Sequence, residues 1–177
     1  VGPVPGKSIE IHIRNNGNLA DVASVKAGGF RHPVTEESLK LKEDERGNSR
    51  SDCHMHMRGL DMMNFVLNDA AKLIAETINE HGGVEAFDLF ALHQPNEMII
   101  KSLATCLSIP MEKIPLCVNG YGNISSASIP LALSKRLYGK DLASGCKVLM
   151  AGYGGGASWG TAVTDVSAAK FYPVKEM

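Results

Sequence analysis

The spacing of hydrophobic residues changes along the chain, and each spacing predicts a different element. In the segment 8–14 every second residue is isoleucine, a pattern typical of a half-buried strand. From Leu60 to about Glu80 the apolar positions recur three or four residues apart, as on one face of an amphipathic helix. The pair at 82–83 is Gly-Gly, which predicts the end of that helix.

The second half of the chain alternates short apolar runs with helical stripes. Residues 88–92 read DLFAL, a continuous run typical of a strand buried on both faces. Asn96 is a good N-cap and predicts the start of a helix. Further elements are expected in the order strand, helix, strand, glycine loop, strand, at residues 116–118, 125–137, 147–151, 152–156 and 159–165. This order predicts an α/β layer, with one domain over residues 1–177.

Composition and charge disfavour several classes of protein. The 177 residues are 44% apolar and carry a net charge of -1, so nothing favours nucleic acid or an anionic membrane surface as a partner. The apolar runs are too short to span a bilayer, and the first residues show no signal peptide. We therefore expect a soluble, cytoplasmic protein.

The cysteines and histidines offer little sign of a metal site. None of the four cysteines forms a C-x-x-C pair, and we expect them to be reduced and mostly buried. The segment 52–56, DCHMH, holds metal ligands at short spacing. It lacks a second ligand pair at zinc spacing, so a loop is the favoured interpretation and no metal is expected.

Three loops at the ends of predicted strands are candidates for chemistry, because such ends converge on a crevice in α/β folds. His93 sits between a buried strand and a helix N-terminus, where a neutral imidazole can donate to an oxyanion; a structural role at the strand end is equally compatible. Asn123 lies in a glycine loop, where turn formation is the simpler role and a catalytic amide the alternative. The run Gly154–Gly156 allows either close approach of a ligand or tight strand packing.

The combination and order of these loops resemble a known family. Three motifs are similar in sequence and spacing to the C-terminal half of β-ketoacyl-acyl-carrier-protein synthase III: HQPN at 93–96, YGNISSASIPLAL at 121–133 and GYGGGASWGTA at 152–162. The upstream GGFRHP and MRG at 28–33 and 57–59 resemble that family too. The likeness covers nearly the whole chain.

This resemblance implies a thiolase-like half, a mixed five-stranded sheet flanked by helices. It implies a Cys-His-Asn triad in which His93 and Asn123 are catalytic and donate together to a thioester oxygen. The nucleophilic cysteine belongs to an N-terminal half that this sequence lacks. Asn96 matches a position that contacts the pantetheine arm, and the Gly155 N–H matches an oxyanion-hole donor. The substrates implied are acyl-CoA and malonyl-acyl-carrier-protein thioesters, without a cofactor; the partners implied are the acyl carrier protein, the N-terminal half and a second copy in a homodimer.

Related branches of the same fold fit less well. Elongating synthases have two histidines where this chain has His93 and Asn123, and thiolases carry a cysteine in the last glycine loop. Relatives often place an arginine after the HQPN-type motif, whereas residues 97–100 here read EMII, with Lys101 and Lys113 nearby. A related condensing enzyme of secondary metabolism therefore remains an alternative, as does a non-catalytic thioester-binding fragment.

Overall fold

The structure, a computed structural model, describes residues 8–44 and 47–175. Its strands, in chain order, are β1 (Glu10–Asn15), β2 (Ala23–Val25), β3 (Lys42–Glu43), β4 (Ser49–Arg50), β5 (Met55–Met57), β6 (Leu89–Leu92), β7 (Lys147–Gly154) and β8 (Ser158–Asp165). Its α-helices are α1 (Glu36–Leu39), α2 (Gly59–Phe65), α3 (Ala71–Glu80), α4 (Glu97–Cys106), α5 (Val118–Tyr121) and α6 (Ser128–Leu137).

The described residues form two compact units. The first comprises residues 8–14, 64–153 and 159–175, and the second comprises residues 15–44, 47–63 and 154–158. The single domain expected over residues 1–177 stays a prediction.

The first unit is built around a mixed sheet, as the sequence predicted. The strand order within the described part of the chain is β1-β8-β7-β6, and β6 pairs with β7 in parallel, with Leu89 opposite Val148 and Leu92 opposite Ala151. The resemblance implied five strands, and the predicted strand at 116–118 is wrong. That segment leads into α5 instead, because the Gln94 side chain, rather than a neighbouring strand, binds the N–H groups of Cys117 and Val118.

The core of this unit lies on both faces of β6. All four residues of β6 are buried, which confirms the strand predicted from the DLFAL run. On one face Leu89 and Ala91 belong to a cluster with Leu133 and Leu137 of α6. Full burial of a leucine side chain is worth about 1.5–3 kcal/mol, so this cluster holds the strand that ends at residue 92.

The long predicted helix is present from residue 59 to residue 80. It consists of α2, a π-helical segment at Val66–Ala70, and α3. The buried Thr77 hydroxyl lies 2.8 Å from the Thr161 hydroxyl, a contact that ties α3 to β8. A buried polar pair of this kind is tolerated because each hydroxyl has a partner.

The strand β1 is present, but its predicted burial is wrong. Ile9, Ile11 and Ile13 are exposed to 59%, 60% and 65%. β1 lies at one edge of the described sheet. The alternation of residue types predicts a two-faced strand, but it does not say which face another layer covers.

The second unit contains two short antiparallel pairs, β2 with β5 and β3 with β4. Strand β2 spans three residues, Ala23–Val25. The preceding segment, Gly17–Val22, is a 3-10 helix whose N-cap Asn16 accepts a hydrogen bond from the Asn18 N–H. That local bond competes with extended structure.

Membrane-spanning helices are not found in the part of the chain that the structure describes, because none is both long and apolar enough.

Candidate functional site

His93 begins the loop after β6, and its backbone is fixed on two sides. Its N–H donates to the Ala151 carbonyl at 2.8 Å, which extends the parallel pairing by one residue. The Tyr153 hydroxyl donates to the His93 carbonyl at 2.7 Å, and the two rings meet edge to face with centroids 5.4 Å apart. The position of the imidazole is thus set by the strand before it and by β7 beside it.

The imidazole of His93 is half-buried and bonded through one ring nitrogen. Its Nδ1 lies 2.9 Å from the Ser128 hydroxyl at the start of α6. Burial lowers the pKa of His93 below 6.5, and a hydrogen bond with the backbone of Ser125 partly opposes that shift. The neutral ring expected from the sequence is therefore favoured, with burial as the cause that the structure identifies.

Gln94 joins the His93 loop to the segment that follows α4. Its side chain is fully buried. Its Nε2 donates to the Pro115 carbonyl at 2.6 Å, and its Oε1 accepts from the N–H groups of Cys117 and Val118 at 2.8 and 3.0 Å. One side chain thus satisfies three backbone groups on a segment that is 21 to 24 residues away in sequence.

Asn123 lies in an exposed loop, and its side chain is held locally. Its Oδ1 accepts from the Ser125 N–H at 2.9 Å, which leaves the amide NH₂ as the group that can donate to a substrate. Ser125 has a φ of 55°, in the left-handed region that non-glycine residues rarely adopt. The Ser125 N–H donates to Asn123, and the Ser125 carbonyl accepts from the Ser128 hydroxyl, which lies 2.9 Å from His93 Nδ1. The structure thus brings the two predicted catalytic residues into one connected network.

Asn96 is the N-cap of α4, as predicted. Its Oδ1 accepts from the Ile99 N–H at 2.8 Å, and the residue is exposed. Capping occupies the side-chain oxygen and leaves the amide NH₂ for another partner. Its contact with a pantetheine arm stays a prediction.

Gly155 follows β7 and belongs to the second unit. It is exposed, and a Cβ added there would lie 3.3 Å from the Ala23 carbonyl oxygen. The close approach of backbone on backbone explains a glycine at this position. The glycine loop is shorter than predicted because β7 continues to Gly154. The donor role of the Gly155 N–H stays a prediction.

The four cysteines are all free, and the two buried ones are poor nucleophiles. Burial raises the pKa of the Cys117 and Cys146 thiols, which disfavours the reactive thiolate. Cys53 is half-buried and Cys106 is exposed, so the prediction that most are buried holds for two of the four.

The basic residues near the HQPN loop are already paired with carboxylates. Lys101 lies 2.7 Å from Glu97, and Lys113 lies 2.8 Å from Glu85. A surface groove of about 690 Å³ runs along α4 and is lined by Glu97, Met98 and Lys101 among others, but not by His93 or Asn123. An acidic partner on this surface would compete with these internal carboxylates.

Two groups of residues in the described part of the chain carry atoms that can ligate a metal. In the DCHMH segment, His54 Nδ1 accepts from the Ser51 N–H and His56 Nε2 bonds the Ser51 carbonyl, so both rings stabilise the local turn. Elsewhere, ligand atoms of Glu10, His12 and Glu80 lie within 4.8 Å of one another. His12 is hydrogen-bonded to Glu10 at 2.8 Å on the surface, and this contact suffices to explain that pair.

Sequence reasoning missed Gln94, Ser128 and Tyr153 as residues of the site. Gln94 carried a usable signal, because a polar residue directly after a buried strand needs partners. Ser128 is one of three serines at 125–128, and nothing in the sequence separates the buried one from the exposed ones. In the sequence, Tyr153 lies in a glycine-rich segment that predicts a loop. Only the structure shows that it belongs to β7.

Comparison with known proteins gives one consistent family. Residues 78–166 match the family described as 3-Oxoacyl-[acyl-carrier-protein (ACP)] synthase III C terminal. Among curated proteins, the chain is 36% identical over 121 residues to the β-ketoacyl-[acyl-carrier-protein] synthase III of Streptococcus gordonii, covering 64% of this chain and 36% of that one. It is 31% identical over 160 residues to the enzyme of the same name from Roseiflexus, covering 90% and 46%. The chain therefore spans less than half the length of these relatives.

Solved structures show the same relationship. A 3-oxoacyl-(acyl-carrier-protein) synthase III matches with a TM-score of 0.79 at 28% identity, covering 93% of this chain and 49% of that one. A 3-oxoacyl-(acyl-carrier protein) synthase from Burkholderia xenovorans matches with a TM-score of 0.76 at 32% identity, covering 89% and 44%. The thiolase-like half inferred from the sequence is thereby confirmed.

Proposed function

The chain belongs to the family of 3-oxoacyl-[acyl-carrier-protein] synthase III C-terminal domains, and on this premise we propose that the intact protein is a condensing acyltransferase. The proposed reaction is decarboxylative Claisen condensation of an acyl thioester with malonyl thioester, of the type that initiates fatty acid chains. This chain supplies His93 and Asn123 of a Cys-His-Asn triad. The observation that carries the proposal is the hydrogen-bonded network that joins the two residues through Ser125 and Ser128.

In this proposal, Asn123 stabilises the charge that develops during decarboxylation. Loss of carbon dioxide from the malonyl group leaves an enolate, whose thioester oxygen becomes negative. With Oδ1 held by the Ser125 N–H, the amide NH₂ is oriented before substrate arrives. A preorganised donor of this kind is worth roughly 3–4 kcal/mol of transition-state stabilisation.

His93 is proposed to act through Nε2, because Nδ1 is bonded to Ser128. The sequence-based expectation that His93 donates beside Asn123 requires a proton on Nε2. Whether Nε2 donates or accepts depends on which nitrogen carries the proton of the neutral ring.

The proposed partners include an N-terminal half that carries the nucleophilic cysteine. The thiolate there accepts the acyl group, which divides one difficult transfer into two easier steps. The exposed isoleucine face of β1 supports a further apolar layer in the intact protein, because a row of exposed large apolar residues commonly marks an interface. We further propose a cytoplasmic homodimer, by analogy with the family.

The thioester carriers are proposed as acyl-CoA for the acyl group and acyl carrier protein for the malonyl group. The carbonyl chemistry is the same for either carrier, so the site residues do not distinguish them. The pairing of Lys101 with Glu97 and of Lys113 with Glu85 leaves these lysines less available to an acidic carrier protein. This observation favours, as a second candidate, a related condensing enzyme of secondary metabolism with another acyl acceptor.

The proposal is tested with the intact protein by substituting Asn123→Ala and His93→Ala. Each variant should lose condensation, measured as β-ketoacyl product, while still accepting an acyl group, measured by intact mass. Ser126→Ala, on the same exposed loop, is the matched control and should behave as wild type.

Three results would contradict the proposal. Condensation at the wild-type rate in both alanine variants would remove the catalytic assignment. Stable acylation of Cys53, Cys106, Cys117 or Cys146 in the wild-type protein would place the nucleophile in this chain instead. A protein that binds acyl thioesters but forms no product would be the non-catalytic alternative.

A further inference from the structure

Four side chains of the first unit meet between strand β1 and the end of helix α3. Glu10 and His12 are two residues apart on β1, so they point to the same face of the strand, opposite to the isoleucines at 9, 11 and 13. Glu80 is the last residue of α3, and His81 is its C-cap. None of the four belongs to the candidate functional site, so their role is independent of the proposed reaction.

The nitrogen and oxygen atoms of these side chains lie close together. His12 Nε2 lies 2.8 Å from Glu10 Oε1 and 3.7 Å from Glu80 Oε2, and ligand atoms of these three residues all lie within 4.8 Å of one another. His81 Nε2 lies 3.5 Å from Glu10 Oε2. Two ligands of one tetrahedral zinc ion are roughly 3.3–3.6 Å apart, because zinc bonds to nitrogen and oxygen are about 2.0–2.2 Å long. Small side-chain adjustments would therefore place these atoms around one ion.

His81 is the member of the cluster that the local contacts leave unsatisfied. Its side chain is only 19% exposed, and its buried Nε2 has no hydrogen-bond partner among the described residues. The 3.5 Å contact with Glu10 is longer than a well-formed hydrogen bond. A buried polar atom without a partner is unfavourable, and in native proteins a bound ion is one of the few features that explain it. The hydrogen bond between His12 and Glu10 does not.

Neighbouring residues of β8 hold both sides of the cluster in place. A Cβ added at Gly160 would lie 2.7 Å from the His12 carbonyl oxygen, so the backbones of β1 and β8 approach closely at this point. The next residue, Thr161, contacts Thr77 of α3 at 2.8 Å, about one helical turn before His81. Because both elements are fixed to the same strand, their side chains need little ordering when an ion binds.

The charge of the cluster favours a divalent cation. In the part of the chain that the structure describes, both carboxylates pair with histidines and neither pairs with lysine or arginine. The last turn of α3, at the negative end of the helix dipole, also holds no basic residue. Contacts with His12, and to a smaller extent with His81, lower the pKa of the Glu10 carboxyl below its usual value, which favours the carboxylate that metal ligation requires.

We propose that one divalent ion of the zinc class binds to the four side chains of this cluster, Glu10, His12, Glu80 and His81. Imidazole nitrogens together with carboxylate oxygens suit zinc and similar transition metals, whereas magnesium and calcium prefer oxygen ligands alone. Four protein ligands leave no open position for a substrate, so the site is structural. The ion joins β1, at one edge of the described sheet, to the end of α3, and it stabilises the folded protein by binding to that state.

Zinc titration of the intact protein tests the site, with a reductant other than a thiol present to keep the cysteines reduced. Zinc at about 100 times its Kd should raise the Tm by about 3 °C or more, and magnesium or calcium at the same concentration should not. X-ray absorption at the zinc edge should show nitrogen and oxygen neighbours at about 2.0–2.2 Å. Absence of zinc binding would overturn the proposal. So would a sulfur neighbour at about 2.3 Å, which assigns the ion to a cysteine.

Three variants and a matched control identify the ligands. His12→Gln and Glu80→Gln each remove one ligand and should weaken zinc binding by at least about 100-fold, because loss of even an outer partner of a metal ligand costs about 10–100-fold. His81→Gln should weaken it by about tenfold or more. His32→Gln, at an exposed histidine of the second unit, should bind zinc like the wild type.

The variants should remain folded without the ion, because the side chains of His12 and Glu80 are 28% and 56% exposed. Circular dichroism and the Tm in the presence of a chelator measure this for each variant. Wild-type zinc affinity in folded His12→Gln and Glu80→Gln proteins would overturn the proposal. None of these measurements requires condensing activity, so the proposed function can fail while this site stands, and the reverse.

Discussion

The segment that carries His93 and the loop that carries Asn123 are built in opposite ways. Residues 89–92 are buried, and the backbone and ring of His93 are bonded to other elements. Residues 119–127 are exposed or half-buried, and Asn123 is held by a bond to the residue two positions later. The first residue is placed by the tertiary core and the second by its own loop.

This difference assigns a different vulnerability to each side of the site. A preorganised imidazole depends on partners far away in sequence, so damage to the core should disturb it. An asparagine in a local turn tolerates such damage better and responds to changes of its own amide. The experiments below separate these two dependences.

The largest effect is expected from Gln94→Leu, which removes the buried link between the two sides. The carbonyl of Pro115 and the N–H groups of Cys117 and Val118 would lose their partners. Because each buried unsatisfied group costs about 1–3 kcal/mol, we expect a loss of about 3–5 kcal/mol in the free energy of unfolding. Urea unfolding measures it, with Ser126→Ala as the surface control. A loss below about 1 kcal/mol would show that the link is dispensable.

A smaller effect, confined to catalysis, is expected from Asn123→Asp. The carboxylate can still accept from the Ser125 N–H, so the free energy of unfolding should stay within about 0.5 kcal/mol of wild type. It cannot donate to a developing oxyanion, so condensation should fall by about 100-fold or more. Product formation and urea unfolding are measured on the same preparation. Equal loss of stability and activity would mean that Asn123 is held by more than its local turn.

The smallest effect concerns pH and reports the burial of His93. Burial lowers the pKa of His93 in the folded protein below its ordinary value of 6.5. At pH values between the folded pKa and 6.5, the unfolded chain therefore binds more protons than the folded one. Stability therefore falls as pH drops through 6.5 toward the folded pKa. His93→Gln should remove this component. The unfolding free energy of the wild type minus that of the variant should therefore decrease, or change sign, as the pH falls from about 8 to about 5. A difference independent of pH would contradict the burial of the ring.

Local patterns predicted the helix features that local forces stabilise. The N-cap at Asn96 and the helical run ending at Glu80 are correct. The strand at Leu89–Leu92 is also correct, because its continuous apolar run indicates burial on both faces. Capping, periodicity and glycine stops act within a few residues and leave their record in the sequence.

The predictions were wrong where residues distant in sequence determine the local structure or the burial. The segment 116–118 has strand-like composition, but Gln94 takes its N–H groups. The isoleucines of β1 have the right alternation, yet they are exposed. A sequence shows which residues can form a strand, but not which distant residues bond to them or cover them in the folded chain.

The sequence by itself determined the family, the α/β order and the two residues proposed for catalysis, because their loops carry distinctive motifs at fixed spacing. Only the tertiary structure showed that Gln94 and Ser128 are the buried connectors between those loops. Whether a polar side chain is buried and satisfied depends on groups more than 20 residues away, and such contacts exist only once the chain has folded.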